Sequence, residues 1–278
     1  MTSGTSGRAG SSARVGRHLL DGAIDYHAWL GLGAAVQSGA VLVAAGASAA
    51  RLVAYPLALG IAVATYYNLY RARLPHARRS VLAVGAAAVT CLGLVASLTV
   101  PDVAMSAAML GAAGALMYAY TGLELRGVRV FAVAKPFLLA SVWTCFTTAV
   151  PLTLLDASAP GLLAGRFAFF LALAIAFDYR DRRDDVRTGL RTVSSTLSRA
   201  SASGLVAGLF VASSLAPLAL PAGPNAIVTA VLSGASLVGA GLVGYAFRQN
   251  RHRRDDYERY LDGLLLLPAP ALLAGLLP

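Results

Sequence analysis

The chain has 278 residues, 57% of them hydrophobic and 13% charged, with a net charge of +10. A soluble domain carries about a quarter charged residues, so this composition excludes an ordinary water-soluble globule and points to lipid. The positive charge is divided among short loops rather than gathered on one face, which argues against a nucleic-acid partner.

Residues 1–20 contain Ser, Gly, Thr and Arg without an apolar core. They read as a disordered cytoplasmic tail, not a cleaved signal. From 21 to 278 the pattern predicts an all-α, polytopic membrane bundle. Apolar stretches at about 27–49, 51–70, 81–99, 101–120, 136–155, 160–178, 201–221, 224–247 and 257–277 are each long enough to cross a bilayer. Gly and other small residues recur within them, which permits close helix contact. Cys91 and Cys145 fall inside two of these spans and read as small core hydrophobes.

Nine spans leave the two ends on opposite sides. Arg8, Arg14 and Arg17 precede the first span, and Arg71, Arg73, Arg78 and Arg79 follow the second. Arg126, Arg129 and Lys135 follow the fourth, six arginines from Arg180 to Arg199 the sixth, and five from Arg248 to Arg259 the eighth. The other side has Arg51, Asp102 and Asp156, joined by short turn sequences. The positive-inside rule therefore places the N-terminus and the basic loops in the cytoplasm and the C-terminus outside, as in a multi-pass cell-membrane protein. Loops of this kind also attract anionic membrane lipid. Away from the span ends, Arg166 is the sole basic residue inside an expected span.

The densest polar chemistry closes the sixth span, at Phe177-Asp178-Tyr179-Arg180-Asp181-Arg182-Arg183-Asp184-Asp185-Val186-Arg187-Thr188-Gly189. Asp178, Asp181 and Asp185 are spaced i, i+3, i+7, so a helix continued through them sets the three on one face. Hard carboxylate oxygens at a membrane helix end suit Mg²⁺ shared with a phosphate group. The competing reading is an ion-paired cytoplasmic loop, with Arg180, Arg182, Arg183 and Arg187 neutralising the acids. Asp184 falls off the common face.

The second span ends on Tyr66-Tyr67-Asn68-Leu69-Tyr70-Arg71, which parallels Phe177-Asp178-Tyr179-Arg180. An internal duplication accounts for this pairing, and so does interface anchoring by aromatics and Arg. Asn68 has two readings, as a site residue or as an interhelical hydrogen-bond donor. Arg71 and Arg73 serve topology or bind an anion. Tyr66, Tyr67, Tyr118 and Tyr120 fit a cavity lining and an interfacial belt equally. No catalytic triad, zinc-ligand spacing or glycine-rich nucleotide loop occurs.

With nine expected spans, a cytoplasmic N-terminus and the run Asp181-Arg182-Arg183-Asp184-Asp185-Val186-Arg187-Thr188-Gly189-Leu190-Arg191-Thr192, the chain resembles the UbiA superfamily of intramembrane prenyltransferases. The run looks like that family's second Asp-rich motif, and topology extends the likeness over about 21–278. The resemblance implies a bundle around a central cavity in which a prenyl diphosphate, held through Mg²⁺, ionises and is attacked by a lipophilic acceptor. It implies catalytic and metal-binding roles for Asp178, Asp181 and Asp185. It implies diphosphate contacts from Asn68, Arg71, Arg73 and Lys135, and cavity aromatics at Tyr67, Tyr118 and Tyr120. The chain departs from the family at the first motif, of NDxxDxxxD type. Asn68 is retained, but Leu69, Ala72 and His76 stand where the acids belong. The family's Tyr-and-Lys element after the fourth span is altered too: Glu124 lies four residues beyond Tyr120, and the nearest Lys is Lys135. Three outcomes follow: direct contact of Arg71 and Arg73 with the diphosphate, a related ionisation such as terpene cyclisation, or a non-catalytic isoprenoid-binding relative.

Overall fold

Proline and glycine placement sets where the helices start, bend and stop. The computed structural model describes residues 28–47, 49–70, 134–187, 192–219, 226–248, 261 and 263–270. Its elements are α1 (Ala28–Ala44), α2 (Ala49–Tyr70), α3 (Lys135–Thr144), a π-helical turn (Cys145–Ala149), α4 (Val150–Leu154), α5 (Pro160–Arg187), α6 (Val193–Thr196), α7 (Arg199–Ala219) and α8 (Ala226–Arg248). The described residues contain no strand. Four helical stretches are long and apolar enough to cross a membrane: Lys135–Leu154, Pro160–Tyr179, Arg199–Leu218 and Val228–Tyr245. Two shorter apolar helices, Ala28–Ala44 and Arg51–Ala64, accompany them. The tail 1–20, the expected spans 81–99 and 101–120, and Cys91 lie outside the described residues.

The first span is shorter than its apolar run suggests. The run to residue 49 is cut at Ala44 because Gly46 takes a left-handed φ of 78°. Ala47 N–H then donates to Leu42 and Gly46 N–H to Val43, the paired bonds of a Schellman stop. Asp156, with φ 49°, closes α4 in the same way: its N–H donates to Thr153 and that of Ala157 to Leu152.

Within 135–154 the π turn has a chemical cause. Pro151 has no N–H to give the ladder, and Val150 N–H reaches back to Cys145. The Phe146 carbonyl is thereby deprived of its helical donor, and the Tyr55 hydroxyl of α2 donates to it at 2.6 Å. Thr144 and Thr147 return their hydroxyls to carbonyls one turn earlier, which satisfies them without a partner helix.

The ninth expected span does not run as one α-helix. Residues 265–268 form a turn, with Leu266, Leu267 and Ala269 N–H groups each donating three residues back. Pro268 is the reason, since it offers no N–H to the Leu264 carbonyl. Ala269 N–H goes to Leu266, which leaves the Leu265 carbonyl for a partner elsewhere. Gln37 of α1 supplies it, donating from Nε2 at 2.8 Å.

α5 is the centre of the bundle, packed along α3 and α7, while α7 also packs on α8 and α1 on α2. Among the described residues, two apolar clusters result. One gathers Phe169, Phe170, Tyr179, Phe210, Phe247 and Leu261 towards one end of α5. The other gathers Val41, Leu42, Leu52, Leu152, Leu162 and Leu232 towards the opposite end. Between α7 and α8, the buried hydroxyls of Ser213 and Ser236 pair at 2.8 Å, a polar tie inside an apolar contact.

Candidate functional site at the Lys135 end of the bundle

α3 and α5 run antiparallel, so the first residue of α3 and the last apolar turn of α5 meet at one end. There Lys135 Nζ lies 3.9 Å from Asp178 Oδ1. Asp178 is buried and Lys135 is partly exposed. Pro136 favours the helix start immediately after Lys135, because the first turn needs no N–H donor from it. A carboxylate at this depth is costly unless a cation or hydrogen bonds accompany it. The Lys135 ammonium meets that requirement.

The residue after Asp178 ties α5 to α8 through an aromatic contact. Tyr179, also buried, stacks on Phe247 of α8 with ring centroids 4.7 Å apart. One turn on, the Arg182 guanidinium lies 5.5 Å from the Tyr179 ring centre, and its Nη1 donates to the Tyr179 hydroxyl at 3.4 Å. Arg182 Nε is buried without a hydrogen-bond partner among the described residues. Deeper along α5, Phe170 packs against Trp143 of α3 at 5.4 Å. The arrangement is therefore one buried carboxylate paired with Lys135, with Arg182 turned onto Tyr179 one turn beyond it, at the end of an aromatic cluster.

α5 does not stop at the apolar boundary but continues as helix to Arg187. Residues 178, 181 and 185 accordingly share one stripe, about 60° wide at 100° per residue, as the spacing required. Arg182 stands about 40° outside that stripe, on the side of Asp178. Of the three acids, Asp178 is the one whose surroundings the structure describes. Among the described residues no cluster of three His, Cys, Asp or Glu occurs.

The end of α2 points towards the same region. Arg51 Nη1 donates to the Leu154 carbonyl at 3.4 Å, and four residues later Tyr55 reaches Phe146. α2 therefore runs antiparallel to α3, and its remaining fifteen residues advance roughly 22 Å towards the level of Lys135. Tyr67 and Asn68 are in the last turn of that helix. Arg71, Arg73, Tyr118 and Tyr120 lie outside the described residues.

Three sets of contacts are not legible in the sequence. Arg182 stands among charges whose pattern suggests neutralisation of the acids, yet it turns to Tyr179. Thr192, buried, caps α6: its hydroxyl accepts from Ser195 N–H at 3.0 Å, and Ser195 Oγ accepts from Thr192 N–H at 2.9 Å. A trace of it is the Thr-x-x-Ser spacing, a variant of the capping box. The third is a buried pair, Gln37 and Arg166, which lies between the two apolar clusters. Arg166 Nη2 donates to Gln37 Oε1, and both side chains are fully enclosed.

No family model, characterised protein or solved structure matches this chain.

Proposed function

We propose that the Lys135 end of the bundle binds a prenyl diphosphate and ionises it for transfer to a lipophilic acceptor, on a UbiA-like scaffold of nine spans with the N-terminus cytoplasmic. The observation that carries this reading is the Lys135–Asp178 pair, a buried carboxylate and its ammonium at one end of a bundle whose adjoining core is aromatic. The continuation of α5 to Arg187 supports it as well, since that helix brings Asp181 and Asp185 into register with Asp178.

The donor chemistry suits Mg²⁺: hard oxygens on one stripe at a helix end, with room in the ion's preferences for phosphate oxygens and water. Asp178, Asp181 and Asp185 would hold it, and when bound it would neutralise charge on the leaving diphosphate. The chain's own cations act in the same direction. Lys135 orients Asp178 and presents ammonium hydrogens to an anion. Arg182, its Nε without a hydrogen-bond partner among the described residues, offers a guanidinium beside that stripe. Asn68, Arg71 and Arg73 complete the proposal from the end of α2, with arginines replacing the acidic arm that the chain lacks. In the reaction the allylic C–O bond breaks and its electron pair leaves with the diphosphate. A nucleophilic carbon of the acceptor then bonds to the allylic cation and gives up its proton. The cation needs dry, electron-rich walls, a role for Trp143, Phe170, Tyr67, Tyr118 and Tyr120.

The test is release of inorganic diphosphate by the purified full chain in lipid nanodiscs with Mg²⁺ and farnesyl or geranylgeranyl diphosphate. Release that needs an added quinol or phenol acceptor, with the prenylated product recovered, is the expected result. Release without acceptor, yielding a hydrocarbon, would reassign the chain to cyclisation. Binding without any release would make it an isoprenoid-holding protein.

A further inference from the structure

Arg166 stands apart from the Lys135 end. It lies twelve residues before Asp178 on α5, roughly 18 Å along the helix axis. Its side chain is 2% exposed, in the apolar stretch of a helix long enough to cross a membrane. The Phe169 and Phe170 rings lie 4.5 and 4.8 Å from the guanidinium carbon, so two aromatic faces cover it. Nη2 donates to Gln37 Oε1. Gln37 is itself locked, because its amide nitrogen donates to the Leu265 carbonyl that the Pro268 turn leaves open. Nε and Nη1 have no hydrogen-bond partner among the described residues.

This is an incomplete set of contacts. A neutral amide and two ring faces offset only part of the cost of burying a guanidinium, and what they lack is negative charge. The described acids nearest in sequence, Asp156 and Asp178, stand at opposite ends of the span. A polar group held this way inside a membrane segment marks a binding position more often than a packing one. Arg presents several N–H donors in a rigid plane, which matches an oxyanion.

We propose that Arg166 anchors an intramembrane site for the carboxylate of a lipophilic molecule, with Gln37 fixing the guanidinium and Phe169, Phe170 and Trp143 forming an aromatic wall beside it. A phospholipid phosphate fits less well. It stays at headgroup level, whereas Arg166 is six residues, about 9 Å, inside the start of α5. The site shares Trp143 and Phe170 with the walls proposed for the allylic cation, but its polar contacts, Arg166 and Gln37, are separate from the groups assigned to the diphosphate at the Lys135 end.

Trp143, whose ring lies 5.4 Å from Phe170, makes the site observable. The full chain in phosphatidylcholine nanodiscs is titrated with bromododecanoate, and quenching of tryptophan fluorescence is followed. Saturable quenching is expected, displaced by dodecanoate, with dodecyl phosphate weaker and dodecanol weaker by about tenfold or more, the range for losing a charged hydrogen-bond partner. Arg166→Gln should reduce the acid to the affinity of the alcohol, while Arg166→Lys should keep a preference for the acid. Equal binding of acid and alcohol to the wild type, or an undiminished preference in Arg166→Gln, would overturn the proposal. Tighter binding of dodecyl phosphate than of dodecanoate would move the site to lipid phosphate and equally defeat the carboxylate assignment. If Arg166→Gln does not fold, a diazirine-bearing dodecanoate on the wild type decides. Labelling should fall on peptides containing Gln37, Arg166 or Leu265 and be blocked by dodecanoate but not dodecanol. Labelling elsewhere contradicts the site.

Discussion

Asp178→Asn is expected to cut diphosphate release about a hundredfold or more, the usual cost of removing one charged contact from a preorganised site. The substitution preserves volume and helix, so the chain should still fold and insert. What disappears is the charge that balances Lys135 at 3.9 Å and that begins the acidic stripe of α5. A purely structural ion pair predicts something different. In that case Asp178→Asn would mainly lower thermal stability by leaving a lysine without its counterion, and Lys135→Met would restore the balance. The double variant Lys135→Met/Asp178→Asn separates the two: it should recover stability yet remain inactive. Recovery of diphosphate release in the double variant would show that the pair merely holds α3 to α5.

The second large effect concerns assembly. α1 and α2 cross at Gly31 and Gly60 so closely that a Cβ on Gly60 would sit 2.8 Å from the Gly31 carbonyl oxygen. A Cβ on Gly31 would likewise run into the Gly60 carbonyl and the Ala64 methyl. Neither neighbour is the tip of a flexible side chain. Both backbones would have to separate. Gly31→Val should therefore cost about 1–3 kcal/mol or more, the range for overpacking a tight contact. Thermal unfolding in detergent, read by the fraction that stays monodisperse after heating, is the measurement. Gly204→Val provides the control, because no atom lies within 4 Å of a Cβ there. Equal losses from the two variants would mean that the α1–α2 crossing does not hold the bundle together.

The contrast between these sites shows what a single sequence discloses in a membrane chain. The spans from 136 to 247 were legible to within a few residues at either end, because a long apolar run bounded by Pro, Asp or Arg has one physical interpretation in lipid. The register of Asp178, Asp181 and Asp185 was legible too, since helical periodicity fixes it. Breaks inside apolar runs were harder. Ala44 to Ala47 and Leu265 to Pro268 look as hydrophobic as their flanks, and only the backbone of Gly46 and the missing N–H of Pro268 end the helices there. Partnership was the least legible. Gln37 meeting Leu265 joins positions far apart in the chain, as does Tyr55 meeting Phe146, and each exists to satisfy a carbonyl that a proline left open. Arg166 was conspicuous as a lone cation in a span, but its amide partner and its two aromatic covers depend on helix packing. In the sequence Lys135 is only the nearest lysine to an altered family element, and the antiparallel run of α3 and α5 is what sets it against Asp178.

The most direct measurement is calorimetric binding of a non-ionising farnesyl thiodiphosphate to the purified chain in nanodiscs, with and without Mg²⁺. The account predicts Mg²⁺-dependent, saturable binding to the wild type that is lost in Asp178→Asn and weakened in both Lys135→Met and Arg182→Met. Binding of equal strength in wild type and Asp178→Asn, or none to the wild type at any Mg²⁺ concentration, would contradict it.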